Sequence, residues 1–307
     1  MDFKNKLKEN KDLIIAAIFA AIVLCIIFFP KNSAVNNNIV QTIGKKVFDY
    51  QSILNTIEAK SFYVYDILND KPIFAKEEHL RLPLASITKL MTGLVVMDVM
   101  PDTTIVTINM DDIMLEGDSG LALGEKWKLK DLLDFSLMTS SNDGMHAIVS
   151  VLNDYEAVNN KDAVKMMNEK TISLGLKDTI FINETGLDIN KDMSGAYSSA
   201  YDVSMLLADI IKNNIKLISN TNKISENFIS ESNIEHTASN TNISMDEIPN
   251  LIASKTGFTD LAGGNLAVIF DAGIMHPIAI VVLGSSMEAR FSDVVKLAKI
   301  TLEKLSE

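Results

Sequence analysis

Apolar residues change their rhythm three times along this chain. Leu13 to Phe29 is apolar throughout and is closed by Pro30. Lys4, Lys6, Lys8 and Lys11 precede it and only Lys31 follows closely. Such a run is at the short end of a membrane span, which needs roughly 17–25 residues. The lysine asymmetry puts the N-terminus in the cytoplasm and everything after Pro30 outside. A cleaved signal peptide is the competing reading, but Phe28-Phe29-Pro30-Lys31 offers no small-x-small cleavage site. An uncleaved single-pass anchor in the cell membrane is the expectation. Lys31 to Asn38 is polar and asparagine-rich without periodicity, as a tether is. The expected organisation is a cytoplasmic tail at 1–12, an anchor at 13–30, a linker at 31–46 and one extracytoplasmic domain at 47–307.

Within that domain the pattern moves from strand to helix and back. Val47 to Ala59 is amphipathic and predicts a first helix. Phe62 to Leu68 is aromatic and β-branched, Asn69-Asp70 offers a turn, and Pro72 to Ala75 is apolar again, which predicts a hairpin. Leu90–Met100, Leu129–Leu137, Asp143–Leu152, Ala163–Leu174 and Tyr201–Ile211 carry helical spacing. Ser219 to Pro249 is polar and poorly periodic, which predicts a long surface excursion. Strands follow at Leu251–Phe258, Asn265–Phe270 and Pro277–Leu283, then a last helix at Glu288–Leu305. Strands at both ends with helices between them predict an α/β (α+β) fold. The terminal strands should meet in one largely antiparallel sheet, with the helical middle packed beside it.

Charge and cysteine usage narrow the function classes. The net charge is −12 and no basic stretch is present, which argues against a nucleic-acid partner. Cys25, the only cysteine, lies inside the first apolar run, so the exported part has no thiol to misoxidise. Two of the 28 basic residues are arginine, Arg81 and Arg290. His79, His146, His236 and His276 lack metal-ligand spacing, and His146, on an expected helix, reads as structural.

Three short motifs carry candidate chemistry. Ser86 is the only serine followed by lysine three residues later, Lys89, and it stands where an expected helix begins. Residues at i and i+3 share a helix face, so the Lys89 amine can reach the Ser86 hydroxyl. A helix start also offers N–H groups to developing negative charge. Taken alone, such a pair is more often a serine N-cap followed by a solvated lysine. Ser140-Ser141-Asn142 sits on the connection between two expected helices and presents a hydroxyl and a carboxamide to one cleft. Lys255-Thr256-Gly257 lies on an expected strand: the lysine supplies a cation for a carboxylate, and the glycine leaves room for a ligand backbone alongside.

The three motifs in this order are those of β-lactamases and penicillin-binding proteins. The chain resembles one branch, the serine D-alanyl-D-alanine carboxypeptidases of low molecular mass. The resemblance extends through Arg81 to Thr92, Asn183-Glu184-Thr185-Gly186-Leu187-Asp188, Ser198 to Asp202, Asn240-Thr241-Asn242 and Lys255 to Thr259 with Ala262-Gly263. It covers roughly Ser61 to Leu305. Glu184 stands where proline or a small residue is frequent in the family, and Ala253-Ser254 replaces a glycine often found before the third motif.

This resemblance implies acyl transfer on peptidoglycan D-Ala-D-Ala peptides with no cofactor and no metal. Ser86 would be the nucleophile, Lys89 its base and Ser140 the proton relay to the leaving amine. Asn142, Lys255, Thr256 and Gly257 would bind substrate, and the amides of Ser86 and Phe258 would form the oxyanion hole. Arg290 is a further candidate for the substrate carboxylate, with a surface ion pair as the alternative. For Lys89 to act as a base, its pKa must fall from about 10.4 towards 7. Partial burial and the Lys255 cation are the expected causes. No E-x-x-L-N glutamate of the β-lactamase type is present, so β-lactams should be covalent inhibitors rather than substrates. Endopeptidase, transpeptidase and non-catalytic wall-binding or β-lactam-sensing readings stay open.

Overall fold

A run of aromatic and β-branched residues makes Ser61–Asp66 (β1) a strand, and a turn through Asp70, in the left-handed region at φ +52°, returns the chain as Lys71–Lys76 (β2). The computed structural model describes residues 49–117, 119–156 and 162–307. The expected anchor at 13–30, its tail and most of the linker lie outside the described residues. Among the described residues, no helix is long and apolar enough to cross a membrane.

The two ends of the domain meet as the sequence predicts. Leu251–Thr259 (β10), Gly263–Asp271 (β11) and Pro277–Ser285 (β12) join the N-terminal hairpin in a five-stranded antiparallel sheet of order β10-β11-β12-β1-β2. The closing pair is β1 with β12, Phe62 opposite Val282. Alternation assigns the two faces. Tyr63, Tyr65, Ala267, Ile269, Ala279, Val281 and Leu283 join the main core. Phe62, Val64, Leu266, Val268, Ile280 and Val282 are equally buried, as are Val294, Leu297 and Ile300 of the last helix, Ala289–Leu305 (α8), which packs on β11 and β12. Asp293 of α8 is buried and accepts from the amides of Glu58 and Ala59 and from Ser285 Oγ, at 3.2, 3.0 and 2.8 Å. The helix is thereby tied to the start of β1 and the end of β12.

Between the sheet halves lie the helices Lys89–Val99 (α2), Met110–Ile113 (α3), Leu129–Thr139 (α4), Asn142–Glu156 (α5), Ala163–Leu174 (α6) and Ala200–Asn213 (α7). The first helix, Tyr50–Leu54 (α1), is shorter than expected because Asp49 Oδ1 caps it at the Ser52 amide and the chain turns at Asn55. Three-residue strands, Ile105–Thr107 (β4) and Lys126–Lys128 (β5), pair without having been anticipated. Leu82–Pro83 (β3), Ile180–Phe181 (β6) and Ala196–Ser198 (β7) form a second small sheet.

The expected surface excursion at Ser219–Pro249 is not one. It holds a hairpin, Ser225–Ile229 (β8) and Glu235–Ser239 (β9), and buries Phe228, Ala238, Met245 and Ile248. Its apolar residues are too few to give a period, but Phe228 packs edge-on against Phe135 and close to Trp127. His236 Nε2 meets the buried Glu125 carboxylate at 2.7 Å beside the same rings.

Candidate active site

Ser86 sits on a 3₁₀ turn, Ala85–Thr88, and the α-helix begins only at Lys89. The expected pairing survives this change, because a 3₁₀ turn repeats every three residues and brings i and i+3 into line. Lys89 Nζ lies 2.8 Å from Ser86 Oγ. The turn is pinned over the sheet by Asn265 of β11, wholly buried, whose Nδ2 donates to the carbonyls of Pro83 and Leu84 at 2.9 and 3.0 Å. Its Oδ1 accepts from the Gly284 amide at 2.8 Å. Ala85, directly before the nucleophile, takes φ +49°. Gly186 lies so close to the Ala85 carbonyl that a Cβ there would stand 1.9 Å from its oxygen, and its own φ is +82°. Glycine is required at this contact.

The three motifs converge on one cleft. Besides Ser86, Lys89 Nζ meets Asn142 Oδ1 at 2.6 Å and the Thr185 carbonyl at 2.9 Å. Ser140 caps α4 in the left-handed region, φ +64°, and its Oγ accepts from Lys255 Nζ at 2.8 Å. Lys255 Nζ also donates to the Thr256 carbonyl. Thr256 Oγ1 is 2.6 Å from Thr241 Oγ1, which ties the third motif to the Asn240-Thr241-Asn242 stretch. Gly257 runs against the nucleophile's turn: a Cβ there would stand 2.7 Å from the Leu84 carbonyl and 3.2 Å from the Ser86 amide. Phe258, 42% exposed, lines a cavity of about 430 Å³ with Glu116, Leu187 and Asp188.

Both lysines are buried, Lys89 completely where only partial burial was expected. Burial lowers the Lys89 pKa from 10.5 to about 7, against the opposing carboxylates of Glu184 and Asp143. Burial also takes Lys255 well below the usual lysine value, and the charges of Lys89 and Arg290 lower it further. Lys255 is therefore a conditional cation, and burial alone, not the Lys255 charge that was expected to help, lowers the Lys89 pKa. Arg290 is not in a surface ion pair: it is buried, and its Nη1 donates to the Gly257 carbonyl at 2.8 Å.

Other participants escaped sequence reasoning. Thr185 contributes a backbone oxygen, to which its residue type gives no clue. Asp143 Oδ2 accepts from the amide and Oγ of Ser119, and Ser119 Oγ is 2.7 Å from Ser141 Oγ, so Ser119 is held against the second motif. Asn142 Nδ2 donates to the Glu116 carbonyl. His146 pairs with Glu184.

This geometry coincides with similarity to known proteins. A family model described as D-alanyl-D-alanine carboxypeptidase, peptidase family S11, matches residues 47–287. D-alanyl-D-alanine carboxypeptidase DacF of Bacillus subtilis is 29% identical over 250 residues, covering 78% of this chain and 61% of that protein. D-alanyl-D-alanine carboxypeptidase DacD of Escherichia coli is 32% identical, covering 79% and 63%. The D-alanyl-D-alanine endopeptidase of Escherichia coli is 31% identical, covering 74% and 71%. The chain thus spans less than two thirds of the length of either carboxypeptidase. Among solved structures, a D-alanyl-D-alanine carboxypeptidase from Mycobacterium tuberculosis superposes with TM-score 0.70 at 21% identity, covering 81% of this chain and 91% of that one. A Listeria monocytogenes penicillin-binding protein in its ampicillin-bound form superposes at 0.68 and 23%, covering 80% and 98%. Those two share the fold. With a family model matching most of its length, this chain belongs to the D-alanyl-D-alanine carboxypeptidase family, peptidase family S11.

Proposed function

We propose that this chain is a serine-type D-alanyl-D-alanine carboxypeptidase that trims peptidoglycan stem peptides through an acyl-enzyme on Ser86. The observation that carries the reading is the buried Lys89 amine, with a pKa of about 7, in contact with Ser86 Oγ at 2.8 Å. A neutral amine has two donors and one lone pair. The Asn142 and Thr185 oxygens take the donors, which leaves the lone pair for the Ser86 hydroxyl proton. Ser86 Oγ attacks the carbonyl of the penultimate D-alanine, with the Ser86 and Phe258 amides receiving the oxyanion. The C–N bond breaks as Ser140 delivers its hydroxyl proton to the leaving D-alanine amine and is reprotonated by the proton that Lys89 took from Ser86, which returns Lys89 to the neutral amine. Water then hydrolyses the ester and restores the Ser86 hydroxyl.

Lys255, Thr256, Gly257 and Asn142 are proposed to hold the substrate. A terminal carboxylate near Lys255 restores the charge that burial disfavours, so binding and protonation of Lys255 reinforce each other. Arg290 adds positive charge through its bond to Gly257. β-Lactams are proposed to acylate Ser86 in the same way. The 13–30 segment is proposed as a retained membrane anchor that leaves residues 47–307 outside the cell.

Labelling by a fluorescent penicillin together with D-alanine release from a D-Ala-D-Ala peptide tests the reading. Wild type should do both, and Ser86→Ala neither. Labelling of Ser86→Ala at another serine would refute it. One observation favours a second reading: the Escherichia coli endopeptidase is matched over a larger share of its length than either carboxypeptidase. Cleavage of crosslinked dimers without D-alanine release from free pentapeptide would install that reading instead.

A further inference from the structure

Lys89 Nζ is held by two acceptors that come from different parts of the chain. Asn142 Oδ1 belongs to the first residue of α5, and the Thr185 carbonyl belongs to the 183–188 loop. Beside the Lys89 contacts stands a third connection between that helix and that loop. His146, one turn along α5 from Asn142, lies 2.6 Å through Nδ1 from Glu184 Oε1, the side chain adjacent to Thr185. Glu184 is largely buried, and its own carbonyl accepts from Thr92 Oγ1 of α2 at 2.7 Å. We propose that the Glu184–His146 pair is a positioning device, a clip that keeps the Thr185 carbonyl and the Asn142 carboxamide at the separation needed to hold the Lys89 amine against Ser86. The proposal rests on the acyl-transfer reading above.

The charges around the clip agree with this geometry. Burial pushes the Glu184 carboxyl up, but the His146 hydrogen bond, the backbone and the His146 and Lys89 charges outweigh it and lower its pKa. Glu184 is then ionised and can only accept, so Nδ1 of His146 carries the hydrogen. The Glu184 bond raises the His146 pKa, opposed by burial and assisted by Asp112 and Asp111 of α3. Asp112 Oδ1 stands 3.9 Å from His146 Nε2, and Asp143 of α5 adds negative charge near Lys89. Glu184 therefore has two separable effects on Lys89: a mechanical one through the loop, and an electrostatic one that favours the ammonium.

Rates of acylation by a fluorescent penicillin, measured from pH 5 to 9 on the full chain, separate them. Glu184→Ala and His146→Ala break the clip and should each slow acylation at saturating penicillin by roughly tenfold to a hundredfold, the loss expected when a reacting group is misplaced by about an ångström. Apparent affinity for the penicillin should change much less. Glu184→Gln can still accept from His146 Nδ1, so it should recover most of that loss. It removes the negative charge, so its acid limb should move to lower pH. Melting temperatures accompany each variant, and rates are taken per folded molecule. Alanine variants that melt lower but acylate at the wild-type rate, with an unmoved acid limb, would reduce the pair to an ordinary packing contact and overturn the inference. A glutamine variant no better than alanine would overturn the clip as well. If wild type itself is not labelled, the acyl-transfer reading fails first and the inference falls with it.

Discussion

The acid limb of acylation tests the state of Lys89 directly. Its pKa of about 7 makes the neutral amine roughly half of the population at neutral pH. At pH 5 only about one amine in a hundred is neutral, so acylation should fall by about a hundredfold between pH 8 and pH 5. Lys89→Arg cannot lose its proton in this range and should not be labelled. The same shift has a consequence for stability. Because the folded-state pKa lies below the unfolded value of 10.5, the unfolded chain binds more protons between about 7 and 10.5. Stability therefore rises with pH across that window, by up to about 5 kcal/mol from this residue. Below pH 7 the amine is charged in both states and the folded protein bears the whole desolvation cost. Lys89→Met should be more stable than wild type at pH 6.5, and the gap should narrow towards pH 10. Stopped-flow acylation and denaturant titrations at several pH values measure the two effects. An acid limb near 10, or equal stability of wild type and Lys89→Met at pH 6.5, would refute the argument that burial sets this pKa.

Three further outcomes follow from other contacts. Gly186→Ala places a Cβ 1.9 Å from the Ala85 oxygen at a positive φ and should cost upwards of about 2 kcal/mol by denaturant unfolding, with acylation impaired in the folded fraction. Asn265→Ala leaves the Gly284 amide without its Asn265 acceptor and unpins the Pro83–Leu84 stretch, for a loss of about 2–4 kcal/mol by the same measurement. Lys255→Ala should slow hydrolysis of a free-acid D-Ala-D-Ala peptide roughly ten- to a hundredfold more than that of its amidated counterpart. Equal losses on both peptides would mean that Lys255 does not act through the substrate carboxylate.

Strands and long helices were legible because their signals are local. The aromatic and β-branched run at Ser61–Asp66, the 3.6 period of Ala163–Leu174 and the turn at Asn69-Asp70 are each local signals. Ser86, Lys89, Ser140 and Lys255 were legible because their types and spacings are chemical. What escaped was carried by partners distant in sequence. The β4–β5 pair is three residues long on each side, too short to show a period. Phe228 looks solitary until Trp127 and Phe135 surround it. Lys89 on its helix and Lys255 on its strand are buried more fully than their residue type suggests, because oxygens of Ser86, Asn142 and Thr185 meet the first and those of Ser140 and Thr256 the second. The Thr185 carbonyl has no side-chain signal at all. Glu184 was visible as a departure from the family, but its partner His146 lies 38 residues earlier and reads as structural when met alone.

The pairing of β1 with β12 bears on how the protein comes into being. Phe62 must wait for Val282 before the sheet can close. At roughly 5–20 residues per second, the N-terminal hairpin emerges tens of seconds before its partner strand is made. During that interval β1 is an unpaired apolar edge, a recognised route to misassociation. The wait is also a safeguard. Lys255 and Asn265 belong to β10 and β11, which are made long after Ser86, so Ser86 has neither its pinned turn nor its completed cleft until those strands have formed. On the proposed acyl-transfer mechanism, a growing chain should therefore react with neither substrate nor penicillin until the sheet has closed.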